Sequence, residues 1–157
     1  MEDPVTLVIA YAMGVKESSR IEYSMFKKGC DTLNADTLDK WYKVVPDLKK
    51  DFAKNTKLHK EVYEFAYTFS CEPGLKTIDK EMACALWPMF LNDRCSFLKL
   101  WLKFIEENPI KIVKKDEWNM FYEMVVETKG NFNNYKDEGC WPLLFDEFVE
   151  FFAKHGK

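Results

Sequence analysis

The residues of this chain that could do chemistry are two histidines, five cysteines and a spread of carboxylates. A nucleophilic thiol needs a base within hydrogen-bond reach. Cys140 and His155 flank one predicted helix, and at 1.5 Å rise per residue that helix holds them roughly 20 Å apart. Neither His59 nor His155 sits in a metal-ligand spacing, and Cys30, Cys71, Cys84, Cys95 and Cys140 form no C-x-x-C pair. An odd number of unpaired cysteines fits free, structural thiols in a reducing compartment. A calcium loop requires acids or amides at alternate positions, then a turning glycine and a distant glutamate. Asn131-Phe132-Asn133-Asn134-Tyr135-Lys136 places a lysine where the glycine belongs, and Asp31-Thr32-Leu33-Asn34-Ala35-Asp36 also lacks it. No glycine-rich phosphate loop is present. The residues therefore predict no catalytic side chain, no cofactor and no metal. What remains is binding chemistry: Asp116 opens one helix, and Asp146 and Glu150 share a face of another, with Glu147 beside them.

Composition narrows the partners. The 157 residues carry 23 basic and 26 acidic side chains, a net charge of −3. That argues against a nucleic-acid binder, which needs clustered cation against phosphate, and leaves room for an acidic patch that meets a basic protein. The apolar run at 4–13 follows Glu2 and Asp3 and is far shorter than the roughly 20 residues of a membrane span. It reads as a buried helix. Thirteen Phe, seven Tyr and five Trp supply a core without disulfide or metal.

Periodicity predicts an all-α chain forming one domain over 1–157. A second helix over 22–33 places Tyr23, Phe26 and Cys30 on its buried stripe, and a third starts near Asp36 with Leu38, Trp41 and Tyr42 until Pro46 interrupts it. Leu58, Val62, Phe65, Ala66 and Phe69 form a 3.6-residue face, and Cys71-Glu72-Pro73-Gly74 is a stop and turn. Asp79 caps a helix with Met82, Ala83, Leu86, Met89 and Phe90, with a kink or broken ladder at Pro88. Ser96 caps the next, which buries Phe97, Leu100, Trp101 and Phe104 and ends at Asn108-Pro109. Residues 110–113 are a short extended link. Asp116 stands at the N-cap of a helix that Lys129-Gly130 ends, and Pro142 opens a last helix running to about Lys154.

Asp116-x-Trp118-Asn119-x-Phe121, followed by Asn134-Tyr135, Glu138-Gly139 and Trp141-Pro142 through to Phe148-Val149-Glu150, strongly resembles the defective-in-cullin-neddylation family and its potentiating-neddylation domain. Rare residues hold their spacing over about thirty-five positions, and weaker similarity takes in Glu72-Pro73-Gly74 and Phe97-Leu98-x-Leu100-Trp101. The resemblance implies EF-hand-like helical pairs without functional calcium loops. Relative to the family domain, the chain is expected to begin late, lacking most of a first helical pair and an N-terminal ubiquitin-binding domain.

The same resemblance implies a non-enzymatic, scaffold-type co-ligase, cytoplasmic and nuclear, and monomeric. Its acidic–small–acidic patch for a cullin winged-helix domain falls on Asp116, Cys140 and Asp146, with Cys140 in place of the usual alanine. A thiol is only modestly larger than a methyl and still behaves as a small hydrophobe. A pocket for the acetylated N-terminus of the neddylation conjugating enzyme falls on Ile9, Ala10, Ile21, Phe69, Leu86 and Met89. The RING subunit of the cullin ligase completes the partners. The alternative function is a non-catalytic helical adaptor for another basic protein.

Overall fold

The computed structural model of the chain describes residues 3–16, 21–136 and 141–156. It is all-α apart from one two-stranded ribbon among those residues. The chain forms two units, Met1–Leu75 and Lys76–Lys157.

The first unit holds α1 (Val5–Met13), α2 (Tyr23–Leu33), α3 (Leu38–Lys54) and α4 (Thr56–Ser70). Its apolar first helix ends at Gly14, where φ is +69°. There Gly14 N–H bonds Tyr11 O at 2.9 Å and Val15 N–H reaches Ala10 O at 3.1 Å. This closure satisfies the last carbonyls and folds Val15 back onto the core of Ala10 and Met13. Asn34, at φ +51°, ends α2 the same way. Gly29 faces α1 so closely that a Cβ there would lie 2.3 Å from Met13 Cγ. The inner stripe of α2 therefore runs through Met25 and Gly29. That corrects the expected stripe, since Tyr23 is 79% and Phe26 46% exposed.

Helix α3 begins at Leu38, with Thr37 Oγ1 accepting from Lys40 N–H, and runs unbroken through Pro46. Pro46 and Tyr42 lie on an exposed face, where water can take the carbonyl that the proline leaves without a helical partner. Leu38 and Tyr42 are likewise outside the core, whereas Trp41 packs against it. The face of α4 is as expected at Val62 and Ala66, and His59, Tyr63 and Tyr67 are buried beside it.

The second unit runs β1 (Ile78–Asp79), α5 (Lys80–Leu91), α6 (Leu98–Glu107), β2 (Ile112–Val113), α7 (Lys115–Glu127), a 3₁₀ turn (Phe132–Asn134) and α8 (Leu143–His155). The strands pair antiparallel, Ile78 opposite Val113. β1 leads directly into α5, and β2 precedes α7 with only the cap residue Lys114 between them. Asp79 caps α5 by accepting Met82 N–H at 2.6 Å. The helix continues through Pro88, and Asn92 N–H bonds Pro88 O at 3.3 Å. Ser96 proves to be no cap. Phe97 takes that position, while Ser96 N–H and Oγ both donate to Gly130 O.

The loops bearing the strands are 71–79 and 108–114, rather than those tested in the sequence. In the second, Asn108 Oδ1 accepts Ile110 N–H at 3.1 Å. The Lys80 ammonium donates to Glu106 O and Asn108 O at 3.3 and 3.2 Å, closing the end of α6. In the loop at 131–136, Asn131 Oδ1 accepts Asn133 N–H and Asn134 Nδ2 donates to Thr128 O. These amides are spent on the backbone. Among the described residues no helix is long and apolar enough to cross a membrane.

Candidate functional site

Aromatic rings build the floor on which the acids stand. Trp87, Trp101, Trp118, Phe121, Phe145 and Phe148 are all fully buried. Trp101 of α6 stacks with Phe121 of α7 at 4.2 Å and with Phe145 of α8 at 5.4 Å between ring centroids. Phe148 meets the same indole edge-on at 5.0 Å, and Trp118 stacks on Trp87 at 5.5 Å. Such pairs add about 0.5–1.5 kcal/mol each beyond their area. One side chain of α6 thereby fixes both α7 and α8.

Asp116 and Asp146 project from the first turns of those two helices, and both are exposed. Free N–H groups and the macrodipole favour acids there by about 0.3–1 kcal/mol. Asp116 is not the N-cap, which corrects the sequence reading. Lys114 occupies the cap, and its N–H is taken by the Glu117 carboxylate at 2.8 Å. The capping acid thus lies three residues into the box, as the helix geometry prefers. Neither Asp116 nor Asp146 is tied to another side chain among the described residues. Glu147, by contrast, accepts from Asn108 Nδ2 at 2.9 Å. Pro142 is the residue before α8, not its first, and its carbonyl accepts Phe145 N–H. Two carboxylates on helix starts anchored in one core can take charge-assisted hydrogen bonds from lysine or arginine. Cys140 lies outside the described residues.

The apolar set divides between the units. Ile9, Ala10 and Phe69 come together in the first, where Ile9 and Phe69 pack on the cluster of Ala10, Met13 and Val15. Phe69 also lies 5.3 Å from Phe65, ring to ring. Ile21 is 58% exposed. Leu86 and Met89 sit three residues apart on α5 of the second unit, the first buried and the second half-buried.

Two of the described thiols, Cys84 and Cys95, are held in the protonated form by their surroundings. Burial, then Glu106 and Glu81, pushes Cys84 up to about 11, and burial pushes Cys95 up to about 12. His155 sits on the last turn of α8 with its ring 4.5 Å from Phe151.

Known proteins are similar to this chain in sequence. The chain is 33% identical over 149 residues to DCN1-like protein 3 of Xenopus laevis, covering 92% of this chain and 49% of that one. It is 32% identical, with the same coverage, to DCN1-like protein 3 of Homo sapiens. To Defective in cullin neddylation protein 1 of Yarrowia lipolytica it is 28% identical over 153 residues, covering 96% of this chain and 64% of that one. The chain thus spans about half the length of the two vertebrate relatives. Residues 40–151 match the model of the family described as Cullin binding. That match takes in well over half of the chain, including α7 and the first nine residues of α8 with both acids, and the chain belongs to the cullin-binding family.

Proposed function

We propose that this chain is a scaffold-type co-ligase of cullin neddylation that works by positioning. Asp116 and Asp146, with Cys140 between them in sequence, hold the basic surface of a cullin winged-helix domain. Of the apolar set, Ile9, Ala10, Ile21 and Phe69 of the first unit receive the acetylated N-terminus of the neddylation conjugating enzyme. The RING subunit of the cullin ligase holds the same assembly, and the conjugating enzyme's thioester stays near the acceptor lysine. The gain is one of proximity and effective concentration, with no catalytic side chain from this chain. A monomer in the cytoplasm and nucleus suffices for that role.

The observation that carries the reading is the pair of exposed first-turn acids on α7 and α8, both anchored by Trp101, inside the segment that matches the family. The name of the Yarrowia lipolytica relative, which refers to cullin neddylation, supports it. The apolar set is supported by the cluster of Ile9, Ala10 and Phe69. Acetylation matters physically because a buried ammonium is costly, whereas an acetamide needs only a hydrogen bond.

The test is a single-turnover transfer of the modifier to a cullin, with and without this chain. Acceleration with the acetylated conjugating enzyme, largely lost with the unacetylated one, is the expected result. No acceleration with either enzyme contradicts the co-ligase role. Equal acceleration with both contradicts the acetyl pocket alone.

A further inference from the structure

At the far end of α8 from Asp146, the second unit has an open cleft of about 490 Å³. Its cationic groups are Lys99 and Lys103 on α6, with the His155 imidazole of α8 beside them, and among the described residues no carboxylate side chain lines it. In a chain with 26 acids and a net charge of −3, that local sign is opposite to the whole. The start of α6 forms part of the same wall, and its dipole adds positive potential. Below the cations, Leu100 and Phe152 are half-buried and turn carbon toward the opening. Among the described residues Lys103 has an exposed pair with Glu107 at 3.8 Å, an interaction weak enough for a ligand's carboxylate to replace.

We infer that this cleft docks an acidic peptide segment bearing one large apolar side chain. Carboxylates of the segment pair with Lys99, Lys103 and His155, and the apolar side chain lies on Leu100 and Phe152. A bare inorganic anion would leave that carbon surface unused, and a purely apolar segment would face cations with nothing to neutralise them. Asp146 and His155 are nine residues apart on one helix, about 13 Å along its axis. The cleft is lined by neither Asp116 nor Asp146 and is opposite to them in charge, and it does not depend on the cullin reading.

The test uses the whole chain and a fluorescein-labelled peptide of sequence Gly-Asp-Glu-Phe-Asp-Glu-Gly, followed by anisotropy. Saturable binding is expected. It should weaken about tenfold when Lys99→Gln and Lys103→Gln are combined, and by a similar factor when alanine replaces the peptide's phenylalanine. Both lysines are exposed, so the variant should keep its helical spectrum. Chemical-shift changes on peptide addition should fall on Leu100, Phe132 and Phe152. The proposal is overturned by the absence of saturable binding, by equal binding of the Asn-Gln-Phe-Asn-Gln analogue, or by shifts that gather elsewhere.

Discussion

At the scale of single residues, Trp101 decides whether the acids are held. Its ring is fully buried and meets Phe121, Phe145 and Phe148 at once. Trp101→Ala should cost about 3–5 kcal/mol, read as a fall in the urea midpoint. Gly130 is a backbone counterpart. It sits at φ +71°, and a Cβ there would lie 2.0 Å from Arg94 O. Gly130→Ala should therefore destabilise by more than about 1 kcal/mol in the same measurement. The buried thiols give a pH prediction. Cys84 and Cys95 ionise near 11 and 12 when folded, against about 8.5 for a free cysteine. The unfolded chain thus loses these protons first. Stability should fall as pH rises from about 8.5 toward 11–12, and less so in a Cys95→Ala variant. An equal slope in both would remove Cys95 from the account.

At the scale of elements, some structure was legible because the chemistry is local. Asp79 is a short acceptor followed by free helical N–H groups, and it caps α5 as its position predicts. The stripe of Trp101 and Phe104 follows helical period and is buried. Elements failed where the answer depends on what lies opposite. The apolar residues of α2 do not reveal that α1 approaches at Gly29 and leaves Tyr23 outside. Pro46 forbids one hydrogen bond, but its exposed face makes that loss tolerable within α3. Asp116 fits a cap by type, yet the helix starts two residues earlier than that cap would set it and recruits Glu117. The two acids of the proposed site come from the family motif, whereas the packing of Trp101 against rings of both their helices could not be read from it. Lys80 was invisible too, because its carbonyl partners lie 26 and 28 residues away. Lys80→Met should lower stability by about 1 kcal/mol, comparable to Asp79→Ala, in thermal or urea unfolding.

At the scale of the whole molecule, the cullin-binding match covers 40–151 and draws on both units, which divide after Leu75. Asp116 and Asp146, the acids of the proposed site, both belong to the second unit, on helices α7 and α8. The site can thus be challenged by a change that touches neither core. Asp146 is exposed in the first turn of α8, between buried Phe145 and Phe148 on the inner face. The most direct measurement is a calorimetric titration of a cullin winged-helix domain into the chain and into its Asp146→Lys variant, with helical spectra of both. The account predicts saturable binding to the first and a loss of about 2–5 kcal/mol in the second, the spectra being alike. Equal binding to both would contradict the site. No binding to either folded protein would contradict the cullin-holding function itself.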